Sequence, residues 1–129
     1  MNNIKIKVKT SEAEDRVLNY LVGKCEGRKP SCYTGIVRAT AHPDFPDSPP
    51  IFGPELNYLT DWAQGGPIIE REKIAIDTWG DEWLATRIEG SAISEAIGPT
   101  PLVAAMRCYV VSQLGDEVEV PDELKGGEL

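Results

Sequence analysis

Closely spaced prolines are the strongest constraint on how this chain folds. Five of its ten prolines fall within a short stretch, at Pro43, Pro46, Pro49, Pro50 and Pro54. Proline lacks the backbone N–H that helices and interior strands require, so this stretch is incompatible with either element. Residues 28–59 are therefore predicted to form a long proline-rich loop. Ile36 and Val37 are compatible with a short strand inside it, and its apolar side chains predict that it is packed.

Before the loop, the apolar spacing predicts a strand followed by an amphipathic helix. Apolar and lysine residues alternate over residues 4–9, which is typical of a half-buried strand. Ser11 and Glu14 have the spacing of a capping box, and Gly27 is a natural helix stop. The helix predicted over residues 12–26 buries one stripe, which consists of Val17, Leu18, Leu21, Val22 and Cys25.

After the loop, the first predicted elements are a short helical turn and a hairpin. Thr60 begins one helical turn, which Gly65 and Gly66 interrupt before Pro67. Strand alternation then resumes at residues 74–76. The sequence Trp79-Gly80-Asp81-Glu82 predicts a hairpin connection to a strand over residues 83–88.

The last long element is a helix over residues 101–114. Thr100 is its predicted N-cap, Pro101 takes the first helical position, and Gly115 lies just past its end. Its predicted buried stripe is Leu102, Val103, Met106, Tyr109, Val110 and Leu114. The chain of 129 residues is therefore predicted to be one α+β domain spanning 1–129, in which two amphipathic helices pack on a short, mainly antiparallel sheet.

Charge and composition exclude several classes of function. The formal net charge is -8, and residues 116–129 form an acidic segment that is expected to be solvated. An acidic domain without a basic stripe is a poor general binder of nucleic acid. No apolar run approaches the ~20 residues of a membrane helix, and the N-terminus lacks a signal-peptide core. The expectation is a soluble cytoplasmic protein whose three cysteines are reduced.

No pattern in the chain predicts catalysis, a metal or a cofactor. The one histidine, His42, lies in the proline-rich loop, and no nucleophile-and-base motif accompanies it. Cys25, Cys32 and His42 lack the spacing of a zinc site. Neither a catalytic residue nor a metal ligand is therefore assigned.

The segment TDWAQGGPIIEREK, residues 60–73, is the candidate ligand site. Gly65 and Gly66 expose backbone amides that can approach an anion, and Trp62 offers a flat face for a base. Arg71 offers a fork for phosphate or carboxylate. Its neighbours Glu70 and Glu72 would point to the opposite face in a strand, where they could hold a ribose hydroxyl or a subunit contact. The alternative is architectural: a core indole, a glycine turn and a surface ion pair account for the same residues.

Four blocks of sequence carry a family resemblance. They are KVKTSE with the helix ending KCEG, then TDWAQGGPIIERE, then GPTPLVAAMRCYV, then LGDEVEVPDEL. This pattern resembles the NinX-like family of small proteins encoded by tailed bacteriophages and prophages, over about two thirds of the chain. The resemblance implies an accessory phage product acting in the cytoplasm of a bacterial host, and it implies no reaction.

Two functions from different classes follow as expectations. The first is a non-catalytic binding protein that blunts a host defence by sequestering a small anionic molecule of the nucleotide type. Because such sites often lie between subunits, a homo-oligomer is expected. The second is an acidic interaction module that docks on a basic host or phage protein handling DNA. In that case the proline-rich loop and residues 116–129 form its contact surface.

Overall fold

The computed structural model describes residues 5–33, 36–39, 44, 47 and 54–124. In chain order the strands are β1 (Lys5–Lys9), β2 (Pro30–Tyr33), β3 (Ile36–Ala39), β4 (Ala75–Trp79), β5 (Glu82–Glu89), β6 (Ala92–Gly98) and β7 (Glu117–Pro121). The helices are α1 (Asp15–Cys25), α2 (Trp62–Glu72) and α3 (Pro101–Leu114), with 3-10 turns at Thr10–Glu12 and Asp122–Leu124. All strand pairs are antiparallel, so the predicted α+β class is confirmed. The described residues form three helices, whereas two were predicted.

Helix α3 forms the centre of the core. Its start is confirmed, because Thr100 Oγ1 accepts a hydrogen bond from Val103 N at 3.2 Å and Pro101 opens the helix. Gly115 lies just past the end of the helix, as predicted, with φ 92°. Eight residues of the helix are buried: Leu102, Val103, Ala104, Ala105, Met106, Cys108, Tyr109 and Val110. Leu114 was predicted to belong to this stripe, which is wrong, because 46% of it is exposed at the helix end.

A three-stranded sheet packs against α3. Its strand order is β4-β5-β6, and Gly80 at φ 62° lies in the predicted hairpin between the first two strands. Strand β6 was not predicted from the sequence. Gly98 at its end allows close packing, since a Cβ there would lie 2.6 Å from Ala104 N in α3. Ala85 and Ala96 on the same side of the sheet are buried beneath the helix.

The chain ends are joined by a second sheet. Strand β1 pairs with β7, which places Lys7 opposite Glu119 and Lys9 opposite Glu117. Val120 is fully buried, and Thr10 N donates to Asp116 O at 2.8 Å. The acidic segment was expected to be solvated, which is wrong over Glu117–Pro121, because these residues form a strand with buried valines.

The first predicted helix is confirmed as α1, with a different N-terminus. Its N-cap is Glu14, whose side chain accepts no capping hydrogen bond, so the predicted capping box is wrong. Its C-terminus follows the prediction, because Gly27 has φ 79° and donates to Lys24 O at 3.0 Å. Arg28 N donates to Gly23 O at 2.9 Å, which completes a Schellman motif. This ending fixes the backbone of Glu26 at the helix terminus.

The predicted loop over residues 28–59 contains a hairpin. Strands β2 and β3 pair through four residues each, so the description of this whole range as loop is wrong. Residues 54–56 then run beside β3, where Leu56 N donates to Val37 O at 2.9 Å. The expectation of packing is confirmed for Leu56, Tyr58 and Leu59, which are buried. His42 and the four prolines from Pro43 to Pro50 lie outside the described residues.

Helix α2 corrects the prediction for the central segment. The Gly-Gly-Pro sequence was expected to stop a single helical turn, but the helix runs through it from Trp62 to Glu72. Asp61 supplies the N-cap, since its Oδ1 accepts from Ala63 N at 2.9 Å. Pro67 lacks one helical N–H, and packing offsets this loss because Ile68 beside it is 1% exposed.

Gly65 is required by the packing of α2. A Cβ at this position would lie 2.5 Å from Tyr58 O and 2.7 Å from Leu102 Cδ2. At Gly66 the nearest atom to a Cβ would be Trp62 Cε3, at an ordinary 3.7 Å. The two neighbouring glycines therefore differ in their structural role.

This difference predicts opposite effects of two alanine substitutions. Gly65→Ala should destabilise the protein by about 1–3 kcal/mol, because the backbone carbonyl of Tyr58 leaves no room for a methyl group. Gly66→Ala should leave stability unchanged or raise it by about 0.5–1 kcal/mol through better helix propensity. Urea unfolding of both variants measures the two values. Equal effects at the two positions would contradict the packing argument.

Candidate functional site

The structure separates the residues predicted to form a ligand site. Trp62 opens α2 with 56% of its surface exposed, and Glu70 is exposed near the other end. Arg71 follows Trp62 by nine helical residues, which corresponds to about 13 Å along the axis and about half a turn around it. Trp62 and Arg71 therefore face opposite sides of the helix and do not surround one small molecule together.

The two glycines do not offer a free pair of amides. Gly65 N donates to Asp61 O at 2.9 Å inside the helix, and Gly65 itself is buried. The expectation that both amides approach an anion is wrong for Gly65. Gly66 lies on the side of Trp62, one turn along the helix. Ligand binding by Trp62, Gly66, Glu70 or Arg71 stays a prediction.

Arg71 already holds a carboxylate in its guanidinium fork. Its Nη1 donates to Glu26 Oε1 at 3.0 Å and its Nη2 to Glu26 Oε2 at 2.6 Å. The ring of Tyr109 lies 5.8 Å from the guanidinium carbon, and its hydroxyl donates to Glu26 Oε2 at 2.6 Å. The Glu26 carboxylate thus occupies the position that an anionic ligand of Arg71 would take.

The same arginine begins a chain of ion pairs across the fold. Arg71 Nε donates to Glu72 at 2.7 Å, and Glu72 accepts from Arg87 at 2.8 Å. Arg87, with 12% of its side chain exposed, also pairs with Glu89 at 2.8 Å. We call these five charged residues, together with Tyr109, the arginine network. It contains three carboxylates and two guanidinium groups, and it ties α1, α2, α3 and β5 together.

The arginine network shifts the pKa values of its members. Burial favours the neutral form of Glu26, but hydrogen bonds from Arg71 and Tyr109 outweigh it and lower the pKa. Hydrogen bonding from Arg71 is the main reason that the pKa of Glu72 is lowered. Burial, followed by the nearby Glu26 carboxylate, raises the pKa of Tyr109. Both carboxylates are therefore ionised in the folded protein at neutral pH.

Sequence reasoning did not identify Glu26 or Arg87, and it assigned Tyr109 only to the buried stripe of the last helix. Glu26 and Arg71 are separated by 45 positions, and no local motif connects them. Only the relative placement of α1 and α2 brings the pair together. The one available signal was the C-terminal end of α1 at Gly27, which fixes where Glu26 stands.

Cys25 and Cys108 have the properties of packed thiols. Burial raises the pKa of Cys25 to about 11, and burial also raises the pKa of Cys108 to about 11. Cys108 Sγ donates to Ser94 O at 3.3 Å. Within the described ranges, no three His, Cys, Asp or Glu residues are grouped so that they could hold a metal ion.

The side of the three-stranded sheet that faces away from α3 is a second candidate surface. Successive strand residues alternate between the two sides, so the partners of the buried Ala85 and Ala96 define both. We call this side the outer face: it consists of Ala75, Asp77, Trp79, Glu82, Leu84, Thr86, Ile88, Ile93, Glu95 and Ile97.

The outer face combines exposed apolar side chains with acids. Ile88 is 67% exposed, Ile93 64% and Trp79 57%, which is unusual for residues of this size. The outer face carries three carboxylates, at Asp77, Glu82 and Glu95, and none of its residues is Lys or Arg. A groove of about 580 Å³ is lined by Trp79, Glu82, Leu84, Glu95, Ile97 and Arg107, among others.

The described helices do not include one that is long and apolar enough to cross a membrane. The exposed apolar residues of the outer face lie on strands of five to eight residues that alternate with polar positions.

The arginine network predicts a loss of stability in acid that depends on Arg71. Because the folded pKa values of Glu26 and Glu72 are lowered, their contribution is present above about pH 4.3 and is lost as the pH falls through the folded values. Arg71→Ala should lower stability at pH 7 by about 1–2 kcal/mol. The variant and the parent should converge in acid. Urea midpoints of the parent and the variant, measured from pH 7 down into acid, give both the loss at neutral pH and the convergence. Arg71→Lys should recover only part of the loss.

A constant gap between Arg71→Ala and the parent at every pH would contradict this account. It would mean that the arginine stabilises through its aliphatic packing on Tyr109 rather than through the two carboxylates.

Comparison with known proteins identifies the family. The family model described as Bacteriophage P22, NinX matches residues 9–113. A search of curated proteins finds no match. The matched range begins at the end of β1 and ends inside α3, so it includes α1, α2 and the whole three-stranded sheet. The chain belongs to the phage NinX family.

Proposed function

We propose that this NinX-family protein is a non-catalytic phage accessory protein that docks on a basic host or phage protein, one that handles DNA. The observation that carries the proposal is the outer face, where Ile88, Ile93 and Trp79 are exposed beside three carboxylates. Exposed apolar groups of this kind mark interaction sites in soluble proteins. The surrounding acids select a partner of opposite charge.

The charge of the chain supports a basic partner. The net charge of -8 accelerates encounter with a cationic protein and disfavours encounter with nucleic acid itself. A protein that handles DNA presents basic surfaces, so an acidic competitor can occupy them. Such occupation is one route by which an accessory phage protein acts inside the bacterial cytoplasm.

The proposed contact is the outer face and not the chain end. Residues 116–129 were the first candidate for docking, but β7 pairs with β1, and Val120 and Leu124 are fully buried. Deleting this segment would remove core residues, so the loss of a partner after deletion would not identify a contact surface. The outer face offers acids that can be changed with little effect on the core.

Two observations support binding rather than turnover. Thiols with a pKa of about 11, at Cys25 and Cys108, are protonated at neutral pH and are poor nucleophiles. The cations Arg71 and Arg87 are paired with carboxylates in the arginine network, which leaves them less able to stabilise a reaction's developing charge.

Sequestration of a small anionic molecule, of the nucleotide type, is the second candidate. The exposed indole of Trp62 favours it, because a free aromatic face can stack on a base. A homo-oligomer could supply the missing cations from a second subunit. Calorimetry against linear and cyclic nucleotides tests this candidate. It requires binding that Trp62→Ala weakens by about tenfold, and silence across the panel with folded protein would remove it.

Photo-crosslinking in infected cells tests docking through the outer face. A photoreactive amino acid at Ile88, which is 67% exposed, should give an adduct with one basic protein. The same group at exposed Gln113 on α3 is the control and should give none. Asp77→Asn with Glu95→Gln should reduce the adduct, as should rising salt, because charge steers the association. An acidic or neutral partner, or equal adducts at both positions, would overturn the proposal.

A further inference from the structure

We infer that the occupant of the outer face is a basic amphipathic helix of the partner, seated along β5 and β6. This inference rests on the proposed function and specifies the element that is recognised. Three features of the sheet support it: the state of its edges, its dimensions and the distribution of its charge.

The edges of the sheet are blunted against strand addition. On β4, Thr78 N is engaged by Asp77 Oδ1 at 2.8 Å. On β6, Ile97 O accepts from Arg107 Nη1 at 2.9 Å. A partner strand needs a row of free N–H and C=O groups at an edge, and these two side chains interrupt it. The free surface is therefore the face of the sheet rather than its edge.

The dimensions of the outer face match a helix. Three strands spaced by about 4.8 Å place the outer strands about 10 Å apart, which is close to the diameter of a helix. Strand β5 has eight residues and spans about 27 Å at about 3.4 Å per residue. A helix of about 16 residues rises about 24 Å, so it would cover the strand along its length.

The apolar residues of β5 and β6 form a strip of two pairs, with Thr86 and Glu95 between them. In the register of β5 and β6, Leu84 lies opposite Ile97, and Ile88 lies opposite Ile93. Trp79 lines the groove with Leu84 and Ile97, at the end of the strip next to the hairpin between β4 and β5. The two pairs are about 14 Å apart along β5, so apolar side chains repeated every three to four residues over about nine helical residues would contact both.

The charges lie at one end of the strip and between its two apolar pairs, and they favour basic residues beside the helical stripe. Asp77 and Glu82 lie near the hairpin between β4 and β5, and Glu95 lies midway along β6. Arg107 is the cation of the groove, and its guanidinium donates to the carbonyls of Ile97 and Ala13. The carboxylates outnumber it, so lysines or arginines on both sides of a helical stripe would be favourable.

A second copy of this chain fits the outer face less well. Two outer faces in contact would bring Asp77, Glu82 and Glu95 of both copies together without a cation from either face. The outer face has ten residues, whereas a stable interface of standard size uses about 20–30 residues on each side. Its size and its charge both favour a slender basic element.

A peptide-binding experiment tests the inference with the full chain. The probe is a labelled helical peptide of about 16 residues with a leucine stripe flanked by lysine and arginine. Two matched peptides are a scrambled sequence of the same composition and a version with glutamate at every basic position. Fluorescence anisotropy should show that both bind at least about tenfold more weakly than the probe.

Two exposed tryptophans supply the matched variants. Trp79 on the outer face and Trp62 on α2 are 57% and 56% exposed, so neither truncation should disturb the core. Trp79→Ala should weaken binding of the probe by about tenfold, and Trp62→Ala should change it by less than about twofold. Circular dichroism and thermal melting confirm that both variants are folded. Glu82→Gln with Glu95→Gln should flatten the salt dependence of binding.

Three results would overturn the inference. They are equal binding of the probe and the scrambled peptide, equal losses at Trp79 and Trp62, or a dimer in sedimentation that Trp79→Ala dissociates. A basic crosslinked partner that contacts Ile88 through a non-helical surface would leave the proposed function standing and remove the helix. The absence of any adduct at Ile88 in infected cells would remove both.

Discussion

The close packing of α3 on one side of the three-stranded sheet is the constraint on which the rest of the structure depends. It requires a glycine at position 98, where a Cβ would lie 2.6 Å from Ala104 N, and it requires small residues at Ala85 and Ala96. Because the inner side is occupied by the most buried helix of the described chain, the alternate residues of the same strands are directed outward. The exposure of Ile88 and Ile93 is thus a consequence of the fold, and it gives the strands two separate roles.

The elements that could be predicted are those with local signals. Thr100, Pro101 and Gly115 satisfy the two ends of α3 by their own chemistry, and Gly80 provides the positive φ of a tight hairpin. Helix α2 could not be predicted in the same way, because Gly-Gly-Pro has poor intrinsic helix propensity. Its stability comes from the Asp61 cap and from contacts with Tyr58 and Leu102, which only the tertiary fold supplies. The outer face could not be predicted from the sequence, because the residues that compose it depend on the register between strands.

Most of the basic side chains whose partners are described lie opposite or pair with carboxylates, and these arrangements stabilise the fold. Lys7 and Lys9 stand opposite glutamates of β7, and Arg71 and Arg87 are held by carboxylates of the arginine network. This distribution explains why the sequence was a poor guide to the candidate anion site. Arg71 stands between Glu70 and Glu72 in the sequence, but the carboxylate that fills its guanidinium fork is 45 positions away. The acids of the outer face have no Lys or Arg beside them on that face, so the negative charge is concentrated there.

Strand β5 carries stability and the proposed docking surface on alternate residues. Arg87 points to the inner side and joins the arginine network, whereas Ile88, the next residue, is 67% exposed on the outer face. Because the two residues face opposite sides, substitutions at one need not disturb the other. A residue of the arginine network stabilises the fold because its charge is paired with a group that has few other partners. Substitution of such a residue is therefore expected to lower the stability of the protein. Substitution of an exposed outer-face residue is expected to change the free energy of unfolding very little. A phenotype that arises from such a substitution without a change in stability would therefore identify docking as its cause.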